Sequence, residues 1–340
     1  PKLGRRAWLI GACAGMLPDV EFFIRSAEDP LLNIEVHRQF THAFAFIPVG
    51  GAIAAAPWLL SRTPRVLARD VQSTSLGRAW RADWKPVLGA ATLAYATHGV
   101  LDACTNYGTE LLWPFSDLRV AWHWLTTIGP LMTLALLVGL FFGVRSGRRW
   151  PAVLGLLGAL AYTGVAAWQQ ERALAAQAEV AAARGHAVDK AKMFPTVGNF
   201  FLWRSVYESG GVLHTDRIRA GGELTWKPGS TVALAPESAL TPAERASERV
   251  VRDYRRFARF SDGWVARAPA APEVYGDARY SLSTERFEPI WGVRFHPEAR
   301  VPTEWVDFTA KNRIPFGGLW AELSGRDPGY GPLPGRPAAH

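Results

Sequence analysis

The sequence is poor in cysteine and has no cysteine motif. Cys13 and Cys104 are the only two among 340 residues, and they stand far apart in the chain. A disulfide framework, a cysteine-rich zinc finger and a CxxC redox motif are therefore excluded. We expect each cysteine to pack as a small apolar residue, although Cys104 follows Asp102 closely and could line a site there.

Three other features are missing. No internal repeat is present, and no nucleic-acid recognition motif accompanies the net charge of +8, so a nucleic-acid partner is not expected. No secretory signal peptide opens the chain, which begins at Pro1, and we expect a further segment to precede it.

Long uncharged apolar runs are present, but only in the first half. Runs of about 20 apolar residues are long enough to cross the hydrocarbon core of a membrane as helices. Residues 195–340 instead have the mixed composition of a soluble protein. The sequence therefore predicts an all-α polytopic membrane helix bundle, followed by a smaller α+β extramembrane domain. The five predicted spans are residues 7–20, 43–60, 86–104, 128–144 and 151–168.

Basic residues set the predicted orientation of these spans. They are concentrated in residues 1–6, 61–85 and 145–150, which the positive-inside rule assigns to the cytoplasm. The C-terminal domain would then lie in the periplasm of a bacterium, with the protein in the inner membrane and in contact with its lipids. The predicted parts are a transmembrane domain (1–170), a helical connector (171–194), a soluble α+β domain (195–324) and a disordered tail (325–340).

Four short motifs with chemically reactive side chains fall at one face of this predicted bundle, the outer face. Charge distribution and motif position are independent observations, so their agreement favours a site. The motifs are Pro18-Asp19-Val20-Glu21, His37-Arg38-Gln39-Phe40-Thr41-His42, His98-Gly99-Val100-Leu101-Asp102 and Trp122-His123-Trp124.

His98 and Asp102 carry the strongest single signal. Residues four apart on a helix project from the same face, so an imidazole and a carboxylate can bind one metal ion. Ionisable groups within a membrane span also tend to face a polar cavity. The alternative is a His–Asp hydrogen bond that joins two helices.

The other motifs supply further ligands and polar groups. His37 and His42 could approach the same cavity, and Asp19 and Glu21 offer oxygen ligands or a general base. Arg38 could bind a substrate anion, or could lie at the surface near lipid headgroups. Several histidines with carboxylates suit zinc, or a similar divalent ion, better than calcium. Such an ion lowers the pKa of a bound water to about 7, which predicts a hydrolase.

The motif order resembles a family of bacterial inner-membrane proteins described as metal-dependent hydrolases, the LexA-regulated YdjM type. The resemblance covers about residues 3–140 and includes Leu17-Pro18-Asp19, the 37–42 motif, and His98 to Asp102 followed by Thr105-Asn106-Tyr107-Gly108-Thr109. It implies that His37, His42, His98 and Asp102 are metal or catalytic residues, supported by Asp19.

The chain departs from the family pattern where His123 and Gly129 replace aspartates. His123 could substitute as a ligand or, like Glu21, carry a proton. We therefore keep two main hypotheses: a membrane hydrolase with an unknown, phosphoester or lipid-like substrate, and a non-catalytic membrane protein with a structural polar cluster and a partner-binding outer domain. A proton-coupled transporter is a third, which the missing inverted repeat disfavours.

Overall fold

The chain folds into two compact units in the computed structural model. The first consists of Pro1–Ile24, Glu35–Trp122 and Pro130–Tyr162, and the second of Arg25–Ile34, His123–Gly129 and Thr163–His340. The structure describes residues 7–69, 76–127, 129–281, 283, 285–309, 316–324, 326–327 and 329–335. Within these ranges, only the backbone is described for residues 61–69, 76–83 and 316–319. The basic residues at 1–6 and 62–81, used above for orientation, lie outside the described side chains.

The first half of the chain is helical. Proline and glycine interrupt its apolar runs, so its helices differ widely in length. They are α1 (Ala7–Met16), α2 (Leu32–Val36), α3 (Ile47–Arg69), α4 (Leu76–Ala103), α5 (Pro130–Ser146) and α6 (Trp150–Ala183).

Small residues form the core between α1, α3 and α4. Ala14, Ala55 and Ala91, one from each helix, are fully buried. On α3, Gly51 approaches Thr92 of α4 so closely that a Cβ atom at Gly51 would collide with the threonine. The helices can therefore pack at short distance, which brings their ends together.

The prediction of a five-span all-α bundle is wrong. Among the described residues, only α6 is by itself long and apolar enough to cross a membrane. A second candidate arises if two segments bent by 57°, Leu32–His42 and Phe44–Leu60, form one broken span. Helix α1 has 10 residues, about 15 Å, because a 3₁₀ turn begins at Leu17-Pro18. Helix α5 has 17 residues, which also falls short of the criterion.

The second unit is large and rich in β-structure, where the sequence predicted a smaller α+β domain. Its described strands are β1 (Lys190–Pro195), β2 (Leu202–Ser209), β3 (Val212–Ala220), β4 (Leu224–Ala233), β5 (Val265–Ala268), β6 (Ala271–Asp277), β7 (Trp291–Phe295), β8 (Thr303–Asp307) and β9 (Gly331–Pro332). They form two antiparallel sheets, the first in the order β1-β2-β3-β4-β9 and the second in the order β5-β6-β7-β8. Gly210 and Gly211, both with positive φ, form the tight turn between β2 and β3.

The C-terminal half of α6 packs on the first sheet. Ala173 and Ala176 of the helix share a buried core with Trp203 of β2 and Ile218 of β3. The N-terminal half of the same helix instead exposes its leucines, such as Leu154 and Leu157. One continuous helix therefore has an apolar exposed half and a half buried against a sheet.

The described residues of the second unit include three further helices: α7 (Pro242–Ala246), α8 (Glu248–Phe260) and α9 (Phe316–Leu323). Helix α7 begins after a reciprocal capping box that Thr241 and Glu244 form. Tyr254 and Phe257 anchor α8 against aromatic residues of the second sheet.

Candidate metal centre

Helix α4 presents His98 and Asp102 from one face. Nε2 of His98 lies 3.5 Å from Oδ2 of Asp102, the separation expected of residues four apart on a helix. Both side chains are largely buried, with 17% and 15% of their surface exposed. This pair supplies one nitrogen and one oxygen atom that are close enough to bind the same metal ion.

Asp19 reaches this point from the 3₁₀ turn Leu17–Phe23 that follows α1. Pro18 lies at the beginning of the turn, where its missing N–H leaves no hydrogen bond unmade. The turn directs Asp19 Oδ1 to 3.4 Å from His98 Nε2. More than half of the Asp19 side chain stays exposed, so the centre is accessible from this side.

His42 supplies the fourth group from the 3₁₀ turn Phe40–His42, and its side chain is fully buried. Its Nε2 lies 3.2 Å from Asp102 Oδ2 and 3.7 Å from Asp19 Oδ1. We call Asp19, His42, His98 and Asp102 the His/Asp cluster. Its four candidate ligand atoms all lie within 4.8 Å of one another.

The spacing of the His/Asp cluster fits a small divalent ion. Ligand atoms about 2.0 to 2.1 Å from zinc at the corners of a tetrahedron lie about 3.3 Å apart. The four nitrogen–oxygen separations are 3.2, 3.4, 3.5 and 3.7 Å. The ring nitrogens and carboxylate oxygens therefore surround a volume of the size that such an ion occupies.

Two of these atoms, Nε2 of His42 and Nε2 of His98, are buried but make no hydrogen bond in the described part of the chain. A buried polar atom without a hydrogen bond costs about 1 to 3 kcal/mol. A metal ion would satisfy both ring nitrogens, together with the carboxylate oxygens of Asp19 and Asp102 that face them, and this is the second reason why the residues fit one.

Bonds at the opposite ring nitrogens orient both histidines. Nδ1 of His98 donates to the Gly15 carbonyl at 2.5 Å, and Nδ1 of His42 donates to the Glu21 carboxylate at 2.9 Å. With the proton of a neutral ring on Nδ1, the lone pair of Nε2 can bind a metal ion at the cluster. Metal-binding histidines are commonly held in this way by a carbonyl or carboxylate.

Glu21 organises the chain around His42. This fully buried carboxylate accepts hydrogen bonds from the backbone N–H groups of Arg38, Gln39 and Thr41 and from the Thr41 hydroxyl. Arg38 has φ of 61°, an unusual left-handed conformation that forms part of this tight loop. Glu21 thus fixes both the loop and the His42 ring.

The carboxyl groups of this region are held in their charged form. The neighbouring rings of His42 and His98 keep the pKa of Asp19 well below its ordinary value of 3.8, against the opposing effect of burial. Burial also opposes the charge of Glu21, but its bonds with His42 and Thr41 lower the pKa of Glu21 below 4.5. Both carboxylates are therefore ionised at neutral pH, as metal binding requires.

Arg38 lies beside the cluster and contacts Asp102. Its Nε is 2.9 Å from Asp102 Oδ2, and its Nη1 donates to the Thr105 hydroxyl at 2.7 Å and to the Asp102 carbonyl at 3.3 Å. Its guanidinium also lies over the Tyr107 ring. Arg38 therefore orients Asp102 and adds positive charge next to the cluster.

Two predicted site residues lie elsewhere. His37 is outside the group of four; its Nδ1 is 3.9 Å from Glu21 Oε1, and its ring packs against Tyr107. His123 belongs to the second unit, where its ring packs against Phe194. Burial, together with the nearby cations Lys192 and Arg279, lowers the pKa of His123 to about 3, so it is neutral at physiological pH.

Sequence reasoning missed the groups that hold the ligands. Gly15 contributes only a carbonyl, and Thr105 and Tyr95 contribute hydroxyls, of which the Tyr95 hydroxyl donates to the Thr41 carbonyl at 2.6 Å. A carbonyl at a helix end leaves no signal in sequence. Thr105 could have been found from its place directly after the His98–Asp102 motif.

Comparison with protein families agrees with the motif order. The family described as YdjM inner membrane protein matches residues 1–173, which include the whole His/Asp cluster. The chain belongs to this family. As a YdjM-family member it is an inner membrane protein, and the resemblance drawn from the motifs is confirmed. Neither the curated proteins nor the solved structures contain a match to the chain.

Proposed function

We propose that this YdjM-family protein is a membrane-bound, metal-dependent hydrolase whose metal ligands are the His/Asp cluster. One observation carries the proposal: two buried Nε2 atoms lack hydrogen bonds within the described residues and converge with carboxylate oxygens of Asp19 and Asp102 on one point.

Zinc is the proposed ion, because two imidazoles and two carboxylates form a borderline donor set that suits it. Bound there, zinc would polarise a substrate oxygen and activate water for hydrolysis near neutral pH. The same donor set would also accept other first-row divalent ions, so metal identity is part of the test.

The protein side chains around the cluster have distinct proposed roles. His42 and His98 hold the ion through Nε2, and Asp19, the most exposed ligand, marks the side from which substrate enters. Arg38 orients Asp102 and supplies a positive charge that suits an anionic group such as a phosphoester. Glu21 is a positioning residue, because its carboxylate is directed at Nδ1 of His42 and fully buried.

A lipid-like substrate agrees with the surface next to Asp19. Large apolar side chains in residues 16–23, on either side of Asp19, are exposed, which suits contact with the acyl chains of a lipid. These are Met16, Val20, Phe22 and Phe23. We therefore propose an amphiphilic phosphoester as substrate, with membrane lipids as partners.

The exposed half of α6 supports the proposed membrane position. Trp150 and Trp168 are both 58% exposed and lie about 27 Å apart along the helix, close to the thickness of a hydrocarbon core. Exposed tryptophans are typical of the two membrane interfaces. Arg148 and Arg149 precede the helix, so we propose that its N-terminus is cytoplasmic and that the second unit is periplasmic.

Phosphate release tests this proposal. Zinc-loaded full-length protein is assayed with phosphatidic acid in mixed micelles and with a water-soluble aryl phosphoester. We expect hydrolysis, preferentially of the lipid, that a chelator abolishes and zinc restores. His98→Ala and Asp102→Ala should each reduce the rate of hydrolysis at least about a hundredfold. Mutation of a residue that only hydrogen-bonds a metal ligand already reduces metal affinity or activity about 10- to 100-fold.

Asp327→Asn is the matched control, because it removes a carboxylate of the second unit and should keep full activity. Hydrolysis that survives chelation would contradict the metal-dependent mechanism. A metal-bound protein inactive on both phosphoesters would favour the alternative, a non-catalytic membrane protein. Arg38 beside Asp102 is the observation in favour of that alternative, since it already neutralises one carboxylate.

A further inference from the structure

The segment Arg25–Ile34 has an unusual place in the chain. It lies between Glu21 and His37, in the middle of the stretch that carries Asp19 and His42, yet it belongs to the second compact unit. The chain thus leaves the first unit after the Asp19 turn and returns just before the His42 loop. An ordered conformation of this segment therefore limits how far apart its two ends can lie.

Two ion pairs hold the segment within the second unit. Asp29 accepts two hydrogen bonds from Arg256 of α8, at 3.0 and 2.8 Å. Glu28 pairs with Arg300 at 2.8 Å, but both of these side chains are highly exposed. An exposed pair contributes little, whereas a bidentate, partly buried pair gives a defined geometry. Asp29–Arg256 is therefore the important contact.

Arg256 is itself held in place. It donates to Asp253 at 3.2 Å, one turn earlier on α8, and Asp253 accepts a hydrogen bond from Thr303 of β8 at 2.7 Å. The guanidinium is only 20% exposed. Contacts within α8 and with β8 thus orient Arg256 independently of its contact with Asp29.

The segment is internally ordered as well. The Ser26 hydroxyl accepts from the N–H groups of Glu28 and Asp29, and the Asp29 carboxylate accepts from the Leu31 N–H at 3.1 Å. Leu31 is fully buried. The segment around Asp29 therefore has a defined conformation, so a displacement of Asp29 would also displace its neighbours in the chain.

Contacts continue along the chain to the metal centre. Arg119 donates to the carbonyls of Glu35 and His37, and the next residue, Arg38, donates its N–H to Glu21. From Asp29 to His42 the backbone is thus anchored at several points. Displacing Asp29 would strain this series of contacts at its beginning.

We propose that Arg256 is a positioning residue of the metal centre, acting through Asp29 on the spacing between Asp19 and His42. This inference rests on the proposed function of the His/Asp cluster. The observation behind it is the order that Arg256 imposes, through Asp29, on the segment of chain between those two ligands.

The test compares Arg256→Gln, Asp29→Asn and the double variant with the wild-type full-length protein in detergent. Zinc affinity is measured by competition with a chromophoric chelator, and backbone hydrogen exchange of residues 35–42 is measured on metal-free protein. Each single variant should bind zinc about three- to tenfold more weakly, the double variant no more weakly than either, and exchange should accelerate.

Arg255→Gln is the matched control, because Arg255 lies on the same helix and pairs bidentately with Glu237 away from the segment. It should leave both readouts unchanged. Arg256→Lys keeps the positive charge but loses the bidentate geometry, so it should restore only part of the zinc affinity that Arg256→Gln loses.

The inference would be overturned if Arg256→Gln had the same zinc affinity and the same hydrogen exchange as Arg255→Gln. If the wild-type protein binds no zinc, the proposed function fails instead. Hydrogen exchange of residues 35–42 then decides on the positioning role by itself, and unchanged exchange in Arg256→Gln would overturn it.

Discussion

Two clusters of potential metal ligands in this protein differ in one decisive respect. The acidic cluster of the second unit, Glu285, Glu322 and Asp327, has oxygens as close together as the ligand atoms of the His/Asp cluster. Its carboxylates are already satisfied, however. Lys227 pairs with Glu285 at 2.7 Å and with Asp327 at 3.0 Å, and Arg217 and Tyr330 bind Glu322.

The His/Asp cluster contains buried ring nitrogens that make no hydrogen bond in the described part of the chain, whereas the acidic cluster contains only carboxylates that are bound by cations and a tyrosine. Proximity of ligand atoms is therefore a poor indicator of a metal centre by itself. The useful indicators are buried ring nitrogens without hydrogen bonds and histidines whose opposite ring nitrogen is held, as that of His42 is by Glu21 and that of His98 by Gly15.

The largest expected difference between the clusters concerns two buried glutamates. Glu21→Gln removes the charged acceptor of the His42 ring, so zinc affinity should fall about 10- to 100-fold. Glu322→Gln should leave zinc affinity unchanged although it breaks a buried ion pair with Arg217 and destabilises the fold. Chelator competition measures both. Equal losses in the two variants would mean that affinity follows general stability, and the distinction between the clusters would fail.

Metal removal should give the next largest effect. Free zinc at a hundredfold excess over Kd stabilises the folded state by about 2.7 kcal/mol, so chelation should lower the Tm by several degrees. The shift should persist in Asp327→Asn and vanish in His98→Ala. Thermal unfolding in detergent provides the measurement, and a shift that depends on Asp327 would assign the ion to the acidic cluster.

The smallest effect concerns Lys227 in the acidic cluster. Lys227→Met should cost no more than about 1 kcal/mol at pH 7, because the pair is partly exposed. The Gly329 N–H and Lys227 lower the pKa of Asp327 below its ordinary 3.8. A carboxyl group whose pKa is lower in the folded than in the unfolded protein stabilises the folded state at pH values above its unfolded-state pKa. This stabilisation disappears as the pH falls through the folded-state pKa. The difference in Tm between wild type and variant should therefore shrink below about pH 4.

A difference in Tm that stays constant down to pH 2 would show that Lys227 acts by packing and not by charge. The His/Asp cluster should respond at higher pH, because protons compete with zinc for the ring nitrogens of His42 and His98. Zinc release in mild acid, before the acidic cluster titrates, would sharpen the contrast.

Parts of the candidate site follow directly from sequence. The spacing of His98 and Asp102 predicts a shared helix face, and α4 gives them one. Asp19 and His42 were predicted from their motifs, and they join the cluster in the structure. His37 belongs to the same motif but lies outside the group. Spacing alone could not separate the two histidines, because the tight loop at Arg38 and the turn Phe40–His42 set their directions.

The membrane topology could not be predicted from apolar runs, because a run of apolar residues does not define a helix. The predicted span at 7–20 is instead a short helix that ends at Met16, followed by a 3₁₀ turn that begins at Leu17-Pro18. Helix α4 begins at Leu76, so charged residues such as Arg78 and Lys85 occupy its first half. In α6, by contrast, the apolar run and the helix coincide at Trp150, and that helix meets the criterion for a span.

The most direct test of the metal centre is the zinc content of detergent-purified full-length protein, measured by elemental analysis after exposure to zinc and removal of the excess. We expect one zinc ion per chain in the wild type and in Asp327→Asn, and none in His98→Ala or Asp102→Ala. A wild-type protein that retains no divalent ion, or variants that retain it fully, would contradict the account.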